Sequence, residues 1–330
     1  MITGPLTDLL ARRPALVLDG AMGTELQCRG LDTSLPLWSA RALMTHPEIV
    51  LQLHREYVDA GADILTANTF RTTPRTFRKA GFSESPLEGG SVGHAAHSGK
   101  SPEGSSPAGK PPADRSEALT ALAVALARKA ADETAGRTVL VAGSIAPLED
   151  CYRPDLVPSD DELQAEHELH AARLARAGVD FILLETMGTI REAVAALAAA
   201  RETGNEVIVS FICKEDGHLF GGEPLKDAVR TVARLKPTML SLNCVPVNQV
   251  DAAIDALKTE WSGPWAVYAN AGRPEDLESG VITTAVSSGE YAVHAQRWLS
   301  SGARIIGGCC GTTPAHISAV RAIVMQPSSS

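Results

Sequence analysis

Residues 304–316 read Arg304-Ile-Ile-Gly-Gly-Cys-Cys-Gly-Thr-Thr-Pro-Ala-His316, and this stretch shows the unit from which the fold is built. The apolar pair near its start suits a short buried strand. Thr313 followed by Pro314 is typical of a helix start, with a capping residue before a proline at the first helical position. Cys309 and Cys310 therefore stand in a turn from strand to helix, where α/β folds usually place their chemistry.

Seven further apolar runs precede this one, and each leads into a segment with a helical pattern. The predicted strands are residues 15–19, 63–68, 138–144, 180–185, 206–212, 238–244, 265–270 and 304–306. Continuous apolar runs that alternate with helices indicate parallel strands buried on both faces. Eight such units match a closed barrel, whereas a doubly wound open sheet usually has fewer strands. We predict an α/β fold, a single (β/α)8 TIM-type barrel that spans residues 1–330.

Helix starts are marked by Ser or Thr followed three residues later by Glu, the pattern of a capping box. The predicted pairs are Thr45 with Glu48, Ser159 with Glu162, and Thr189 with Glu192.

Residues 83–115 have a different composition, with six Gly, five Pro and seven Ser. A segment so poor in large apolar residues buries too little surface to offset its ordering entropy. We therefore predict a disordered surface insert within the barrel domain, since the strand–helix pattern continues on both sides. His94 and His97 fall inside it and are interpreted as incidental.

The bulk composition excludes several classes of function. The net charge of −9 gives no basic footprint for nucleic acid, and no apolar run approaches the length of a membrane span. Six scattered cysteines in 330 residues argue against a disulfide scaffold and for a reducing, cytoplasmic location. Thiols in such a compartment serve as metal ligands or nucleophiles. The sequence leaves the oligomeric state open.

Polar side chains close seven of the eight predicted strands. In a barrel the carboxyl ends of all strands meet at one face, so these groups outline a single pocket. They are Asp19, Asn68, Ser144, Glu185, Cys244, Asn270 and the pair Cys309-Cys310.

Three cysteines in this set suggest a metal site. The sixth and eighth strands are separated by one strand only, which brings Cys244 close to Cys309 and Cys310. Three thiolates fill three positions of a tetrahedral zinc and leave the fourth open, the pattern of a catalytic zinc. Adjacent cysteines can share one ion only if the backbone turns sharply, which the flanking glycines permit. The alternative is that Cys244 is a small buried hydrophobe and the pair is coincidental.

Other candidate ligands are weaker. Cys28, Cys151 and Cys213 are interpreted as core or loop thiols. His167-Glu-Leu-His170 falls one residue short of the helical zinc pattern, and we expect both histidines to be solvated.

The strand-end motifs resemble the homocysteine S-methyltransferase family over nearly the whole chain, except for residues 83–115. The motifs that carry the resemblance are Asp19-Gly-Ala-Met-Gly-Thr24, Thr66-Ala-Asn-Thr-Phe70, Glu185-Thr, Leu242-Asn-Cys244, Tyr268-Ala-Asn-Ala-Gly272 and Gly307-Gly-Cys-Cys-Gly-Thr-Thr-Pro314.

The resemblance implies a Zn²⁺ bound by Cys244, Cys309 and Cys310, which activates the thiol of homocysteine for methylation to methionine. It implies that Glu185 holds the ammonium group of homocysteine, and that the loop Asp19-Gly20-Ala21 holds its carboxylate. Asn270 matches an asparagine that, in some members, occupies the fourth zinc position until the thiol arrives. Asn68 and Ser144 match positions that line the pocket.

The methyl donor is less constrained. Betaine-dependent members carry an aromatic residue directly after the glutamate, whereas this chain has Thr186, and only 4% of its residues are aromatic. We therefore expect a sulfonium donor, S-methylmethionine or S-adenosylmethionine. Betaine and a separate corrinoid protein are the alternative donors. An alternative of another class is a non-catalytic barrel that senses zinc or thiol state.

Overall fold

The computed structural model describes residues 3–82, 114–274, 282–284 and 286–326. Eight parallel strands run in the order β1-β8-β7-β6-β5-β4-β3-β2, and a parallel bridge between Leu18 and Ile64 joins β1 to β2. The strands are β1 Leu16–Val17, β2 Ile64–Ala67, β3 Leu140–Ile145, β4 Phe181–Met187, β5 Glu206–Phe211, β6 Met239–Pro246, β7 Trp265–Asn270 and β8 Ile305–Gly308. The strands therefore close a (β/α)8 barrel, which confirms the predicted fold class.

Helices surround the barrel. They are α1 Pro5–Arg12, α2 Gly23–Cys28, α3 Arg41–Thr45, α4 Pro47–Asp59, α5 Pro74–Lys79, α6 Arg115–Asp132, α7 Asp160–Ala177, α8 Ile190–Arg201, α9 Leu225–Ala233, α10 Val250–Glu260, α11 Ser288–Ser300 and α12 Pro314–Val324. A short antiparallel pair, Gly272–Pro274 with Ile282–Thr284, lies between β7 and α11. None of the described helices is both long and apolar enough to cross a membrane.

The core has two layers, as expected for strands buried on both faces. An inner cluster fills the barrel with side chains such as Phe181, Ile208 and Tyr268, and an outer cluster packs the strands against the helices. Helix α1 covers the amino-terminal end of the barrel, because Leu6 joins the inner cluster. The buried carboxylate of Glu206 accepts the Leu6 N–H at 2.8 Å and so satisfies a free donor at the start of this helix.

Most predicted helix starts are confirmed. Ser159 forms a full capping box with Glu162, and the Thr189 side chain accepts the Glu192 N–H. The predicted box at Thr45 is wrong: Thr45 ends α3, its hydroxyl donates to Arg41, and α4 begins one residue beyond His46 without a side-chain cap. Pro47 explains the shift, since a proline at the first helical position sets the start of α4.

The predicted insert lies almost wholly outside the described residues, as do His94 and His97. At its predicted end, Asp114 caps α6 by accepting the Glu117 N–H, and Arg115 begins the helix.

One buried ion network fastens the amino-terminal end of the barrel. Asp63 is fully buried and accepts charged hydrogen bonds from Arg13 at 2.6 Å, Arg321 at 2.8 Å and Arg137 at 3.4 Å. Its second oxygen also accepts the Val17 N–H at 3.1 Å. A single carboxylate thus links the β1 strand, the turn before β2, and helix α12.

Replacing Asp63 by Asn should destabilise the fold, because three guanidinium groups lose their counter-charge. Removing one partner of a buried pair costs about 3–5 kcal/mol. We expect about 2–3 kcal/mol here, since the arginine side chains keep 19–30% exposure and water screens them. Urea unfolding would measure the change in free energy.

Glu133→Gln provides the matched control, since its bridge to Arg55 at 2.6 Å is exposed on both sides. That variant should leave the free energy of unfolding almost unchanged, because water screens an exposed ion pair. Equal effects of the two variants would contradict the assigned role of Asp63.

Candidate active site and metal centre

The carboxyl ends of the strands form a cavity of about 120 Å³. It is lined by seven of the eight predicted strand-end residues, together with Gly20 and Ala21. The residues among these predictions are Asp19, Gly20, Ala21, Asn68, Ser144, Glu185, Cys244, Cys309 and Cys310. Asn270 lies beside this cavity and lines a neighbouring one with Ala271 and Gly272. Typical ligand pockets occupy about 300–1,000 Å³, so this cavity suits one small substrate.

Three thiols form a compact cluster on one side of the cavity. The sulfurs of Cys244, Cys309 and Cys310 all lie within 4.8 Å of one another. Cys244 Sγ is 3.0 Å from Cys309 Sγ and 3.9 Å from Cys310 Sγ. All three cysteines are free thiols and none is exposed. Hydrogen bonds from the two neighbouring thiols lower the pKa of Cys310, which favours its thiolate.

Backbone distortion brings these sulfurs together. Cys244 has φ +56°, and the pairing of β6 with β7 shifts register between Asn243 and Pro246. Gly311 has φ +77°, and a Cβ there would lie 2.6 Å from the Gly272 nitrogen. A non-glycine residue in the left-handed region costs about 1–3 kcal/mol and is found mainly at functional sites. The left-handed backbone at Cys244 therefore turns its side chain toward the other two cysteines, as expected at a functional site.

Hydrogen bonds hold the cysteine turn against β7. The Cys309 N–H donates to Ala269 at 2.9 Å, and the Cys310 carbonyl accepts the Ala271 N–H at 3.0 Å. The hydroxyl of Thr312 donates to the Cys309 carbonyl at 2.7 Å. Both cysteines are therefore fixed by backbone contacts that do not depend on a ligand.

The donor set fits a metal ion. Two sulfurs bound to one zinc at about 2.3 Å in tetrahedral geometry are about 3.8 Å apart. The Cys244–Cys310 separation of 3.9 Å agrees with this spacing, and the 3.0 Å separation needs only a small opening of the cluster. In the described part of the chain, the three cysteines are the one group of metal-ligating side chains with this compactness.

Glu185 faces the thiols from the end of β4. Its carboxylate is 8% exposed and accepts a hydrogen bond from the Ser144 hydroxyl at the end of β3. Burial raises the pKa of Glu185 to about 8, and negative charge at Cys309 adds to this. No arginine or lysine among the described residues contributes to this shift, so the carboxyl has no cationic partner there.

Asp19 closes β1 and is anchored rather than free. Its two oxygens accept the backbone N–H of Thr66 at 2.7 Å and the Thr66 hydroxyl at 2.9 Å. Burial raises the pKa of Asp19 to about 8, despite those two hydrogen bonds. Asp19 therefore holds the following loop in place relative to β2.

The loop after Asp19 is tightly packed. A Cβ at Gly20 would lie 2.8 Å from the hydroxyl of Tyr57, which donates to the Ala21 carbonyl at 2.8 Å. The Ala21 N–H donates to the Thr312 hydroxyl at 3.1 Å. Only glycine fits at position 20, and the loop is joined to the turn that carries the cysteines.

The two asparagines make different contacts. The Asn68 side chain exchanges two hydrogen bonds with Ser39, at 2.6 and 2.9 Å, and so fixes the short helix Trp38–Ala40 at the cavity wall. The Asn270 amide donates to the Cys244 carbonyl at 3.0 Å, while its buried Oδ1 has no partner among the described residues. Asn68 is a supporting residue, and Asn270 keeps a buried oxygen without a partner among the described residues.

The histidines of α7 do not behave as predicted. His167 and His170 are buried, not solvated, at 0% and 1% exposure. His167 Nε2 lies 3.2 Å from the Glu192 carboxylate, which also accepts the Leu148 N–H at 2.7 Å. This face of α7 packs against α8 and the loop after β3. The prediction was wrong because it placed both histidines on the solvent-exposed face of the helix.

The remaining cysteines lie outside the cluster. Cys28 is exposed, Cys151 is half-buried in the loop after β3, and Cys213 is buried. Cys151 and Cys213 agree with the prediction of core or loop thiols, whereas Cys28 is exposed at the end of helix α2.

The sequence analysis assigned no role to several cavity residues. They are Thr66, which holds Asp19, and the lining side chains Met22, Trp38, Phe70 and Tyr268. Thr66 carried a signal, because it is a polar residue within an otherwise apolar strand. The place of Trp38 depends on the distant pairing of Ser39 with Asn68.

Comparison with known proteins assigns the family. The sequence model of the family described as homocysteine S-methyltransferase matches residues 16–324. The chain is 33% identical to homocysteine S-methyltransferase of Escherichia coli (strain K12), covering 96% of this chain and 98% of that protein. It is 30% identical to homocysteine S-methyltransferase YbgG of Bacillus subtilis (strain 168), over 96% and 97% of the two chains. The chain belongs to the homocysteine S-methyltransferase family.

Solved structures agree. The metallated form of the E. coli homocysteine methyltransferase MmuM superposes with a TM-score of 0.76 at 31% identity, covering 96% of this chain and 99% of that one. The predicted family is thereby confirmed, and a metal-binding site at the cysteine cluster is consistent with this relative.

Alanine at Cys244, Cys309 or Cys310 should abolish stoichiometric metal binding, because two thiolates cannot hold the ion as three do. We expect the metal affinity to fall by more than about 100-fold, beyond the loss seen for supporting residues. Elemental analysis after dialysis against a weak chelator would report the metal content.

Cys28→Ala is the matched control and should retain the metal, since Cys28 is exposed and outside the cluster. Full metal content in any of the three cluster variants would refute the assignment.

The raised pKa of Glu185 makes stability depend on pH. In the unfolded chain this carboxyl ionises near pH 4.3, whereas in the fold its pKa is about 8. Its contribution is therefore fully present below about pH 4.3 and is lost as the pH rises through 8. Glu185→Gln should flatten the decline in unfolding free energy of metal-free protein between pH 5 and 8.5, measured by urea titration.

Glu168→Gln, on the exposed face of α7, should leave the decline unchanged. An unchanged slope in Glu185→Gln would contradict burial of an ionisable group.

Proposed function

We propose that this chain uses zinc, held by Cys244, Cys309 and Cys310, to methylate the thiol of homocysteine with a sulfonium donor. The observation that carries the proposal is the placement of three sulfurs and the buried Glu185 carboxylate in one small cavity. A thiol-activating centre and an acceptor for an ammonium group are thus within the length of one amino acid.

Zinc suits these ligands better than harder ions do. Soft thiolates select zinc, copper(I) or iron–sulfur clusters, and three sulfurs with an open fourth position match catalytic zinc. When bound, zinc would supply a Lewis acid that keeps the homocysteine sulfur deprotonated near neutral pH, where a free thiol of pKa about 8.5 is mostly protonated.

The protein's own residues would bind and orient homocysteine. Glu185 would accept the ammonium group, and Ser144 would keep the carboxylate aimed at it through its hydroxyl. An ammonium close to Glu185 would offset the burial that raises its pKa, so binding would return the carboxyl to its charged form.

The loop of Asp19, Gly20 and Ala21 is proposed to hold the carboxylate of homocysteine. The Ala21 N–H already donates to Thr312, so this donor must be shared or released when substrate binds. Asp19 itself would act by positioning the loop, since both its oxygens are bonded to Thr66. Asn270, whose Oδ1 has no partner among the described residues, would supply an oxygen to the zinc in the absence of substrate.

The methyl transfer balances as a single displacement. The sulfur electron pair of homocysteine forms a bond to the methyl carbon as the carbon–sulfur bond of the donor breaks. The pair from that bond stays on the donor sulfur, which leaves as a neutral thioether. A thiolate attacking a cationic sulfonium neutralises charge, so a cavity with little water would favour the reaction.

Thr186 supports a sulfonium donor over betaine. Its N–H donates to Asn243 at 2.9 Å and its hydroxyl to the Glu185 carbonyl at 2.6 Å, so this position supplies no aromatic face for a quaternary ammonium. Betaine and a corrinoid protein remain the competing donors. A sensor without catalysis would need no amino acid clamp, the role that we propose for Glu185.

A donor panel tests the proposal. Purified zinc-loaded protein should form methionine from homocysteine with S-methylmethionine or S-adenosylmethionine and not with betaine. Glu185→Gln should lower kcat/KM for homocysteine about 10- to 150-fold, because a hydrogen bond to a charged group is worth about 1.5–3 kcal/mol. Methionine formation with betaine alone, or undiminished activity in Glu185→Gln with intact metal content, would overturn it.

A further inference from the structure

The loop after β3, residues 146–152, is fastened over the mouth of the barrel from several sides. Arg71 donates to the Glu149 carbonyl at 3.0 Å, and the carboxylate of Glu149 is paired with Arg75 at 3.1 Å and with Lys79. Buried Glu192 accepts the Leu148 N–H at 2.7 Å. We call residues 146–152 the mouth loop. Its anchors hold it in place without a ligand.

The mouth loop ends on Tyr152, whose ring meets a second loop. The Tyr152 and Phe220 rings lie edge to face, with centroids 5.1 Å apart at 81°. Gly188, just past β4, lies beneath both loops: a Cβ there would be 3.0 Å from the Cys151 carbonyl and 3.6 Å from Phe220. The loops after β3 and β5 therefore converge at the end of β4, next to Glu185.

Tyr152 lies close to the thiols but outside the cavity. It does not line the 120 Å³ cavity, whose aromatic side chains are those of Trp38, Phe70 and Tyr268. Burial raises the pKa of Tyr152, and negative charge at Cys244 is the next largest cause. The Tyr152 side chain is thus within electrostatic reach of the cluster and remains a neutral phenol.

The small size of the cavity limits where the donor can bind. A volume of about 120 Å³ is below the usual range of ligand pockets and suits one small substrate, so a second substrate would approach the sulfur from beyond the cavity. The converging loops supply the aromatic rings of Tyr152 and Phe220 outside the cavity, and Tyr152 is within electrostatic reach of the thiols. A sulfonium is a cation, and cations bind favourably against aromatic faces, most strongly where water is excluded.

We propose that Tyr152, supported by Phe220, forms the aromatic wall of the methyl donor subsite and determines selectivity for a cationic donor. The inference rests on the proposed function and adds the residue that recognises the donor. Leucine at position 152 would keep the apolar bulk and remove the aromatic face, whereas phenylalanine would keep both ring and packing.

Steady-state kinetics on zinc-loaded protein test this assignment. Tyr152→Leu should raise KM for the sulfonium donor about 3- to 30-fold, while KM for homocysteine and the zinc content stay unchanged. Tyr152→Phe should keep the donor KM within about twofold. Phe220→Leu removes the edge contact alone and should have a smaller effect.

A comparison of two ligands that are similar in shape but differ in charge separates recognition of the cation from packing. Binding of S-methylmethionine, measured by calorimetry, should weaken more in Tyr152→Leu than binding of methionine, its neutral thioether. Equal weakening of the two ligands, or an unchanged donor KM, would overturn the role of Tyr152. If the wild-type protein binds S-methylmethionine but transfers no methyl group, the proposed function fails, and the same binding comparison still decides on Tyr152.

Discussion

The site depends on placing three sulfur atoms within 4.8 Å of one another, although two come from adjacent residues and the third from a strand two places away. The parallel order β6-β7-β8 brings the strand ends into range, but regular strands would point neighbouring side chains to opposite faces. Two departures from regular strand geometry bring the sulfurs to the same side instead. They are the left-handed backbone at Cys244 and the close approach of Gly311 to Gly272. Hydrogen bonds to β7 offset the conformational cost of these distortions.

Once the sulfurs are placed, the other functional groups follow from barrel geometry. Strand ends bring Asp19, Ser144 and Glu185 to the same face, and burial raises the pKa of the two carboxyls. We propose that the Glu185 carboxyl receives an ammonium group, whereas Asp19 is held by Thr66 and positions its loop, and that the thiol cluster holds a sulfur. Homocysteine carries both groups, separated by a short aliphatic chain, which connects the geometry with the family to which the chain belongs.

The sequence predicted the barrel and the cysteine set because both depend on simple periodic rules. Apolar runs that alternate with helices identify eight strands, and their ends define one face. What it missed depends on pairings between distant residues or on single backbone angles. The place of Trp38 needs the contact of Ser39 with Asn68, and the burial of His167 needs Glu192 on the next helix. Pro47, not Thr45, set the start of α4 because a proline at the first position overrode a side-chain pattern.

The central claim is that the three cysteines hold zinc with its fourth coordination position open, and that the sulfur of homocysteine binds there. X-ray absorption at the zinc edge counts sulfur neighbours directly, because Zn–S distances of about 2.3 Å differ from Zn–N and Zn–O distances of about 2.0–2.2 Å. Our account predicts three sulfurs and one lighter atom in the zinc-loaded protein, and four sulfurs after homocysteine is added. An unchanged count of sulfur neighbours on addition of homocysteine would contradict it.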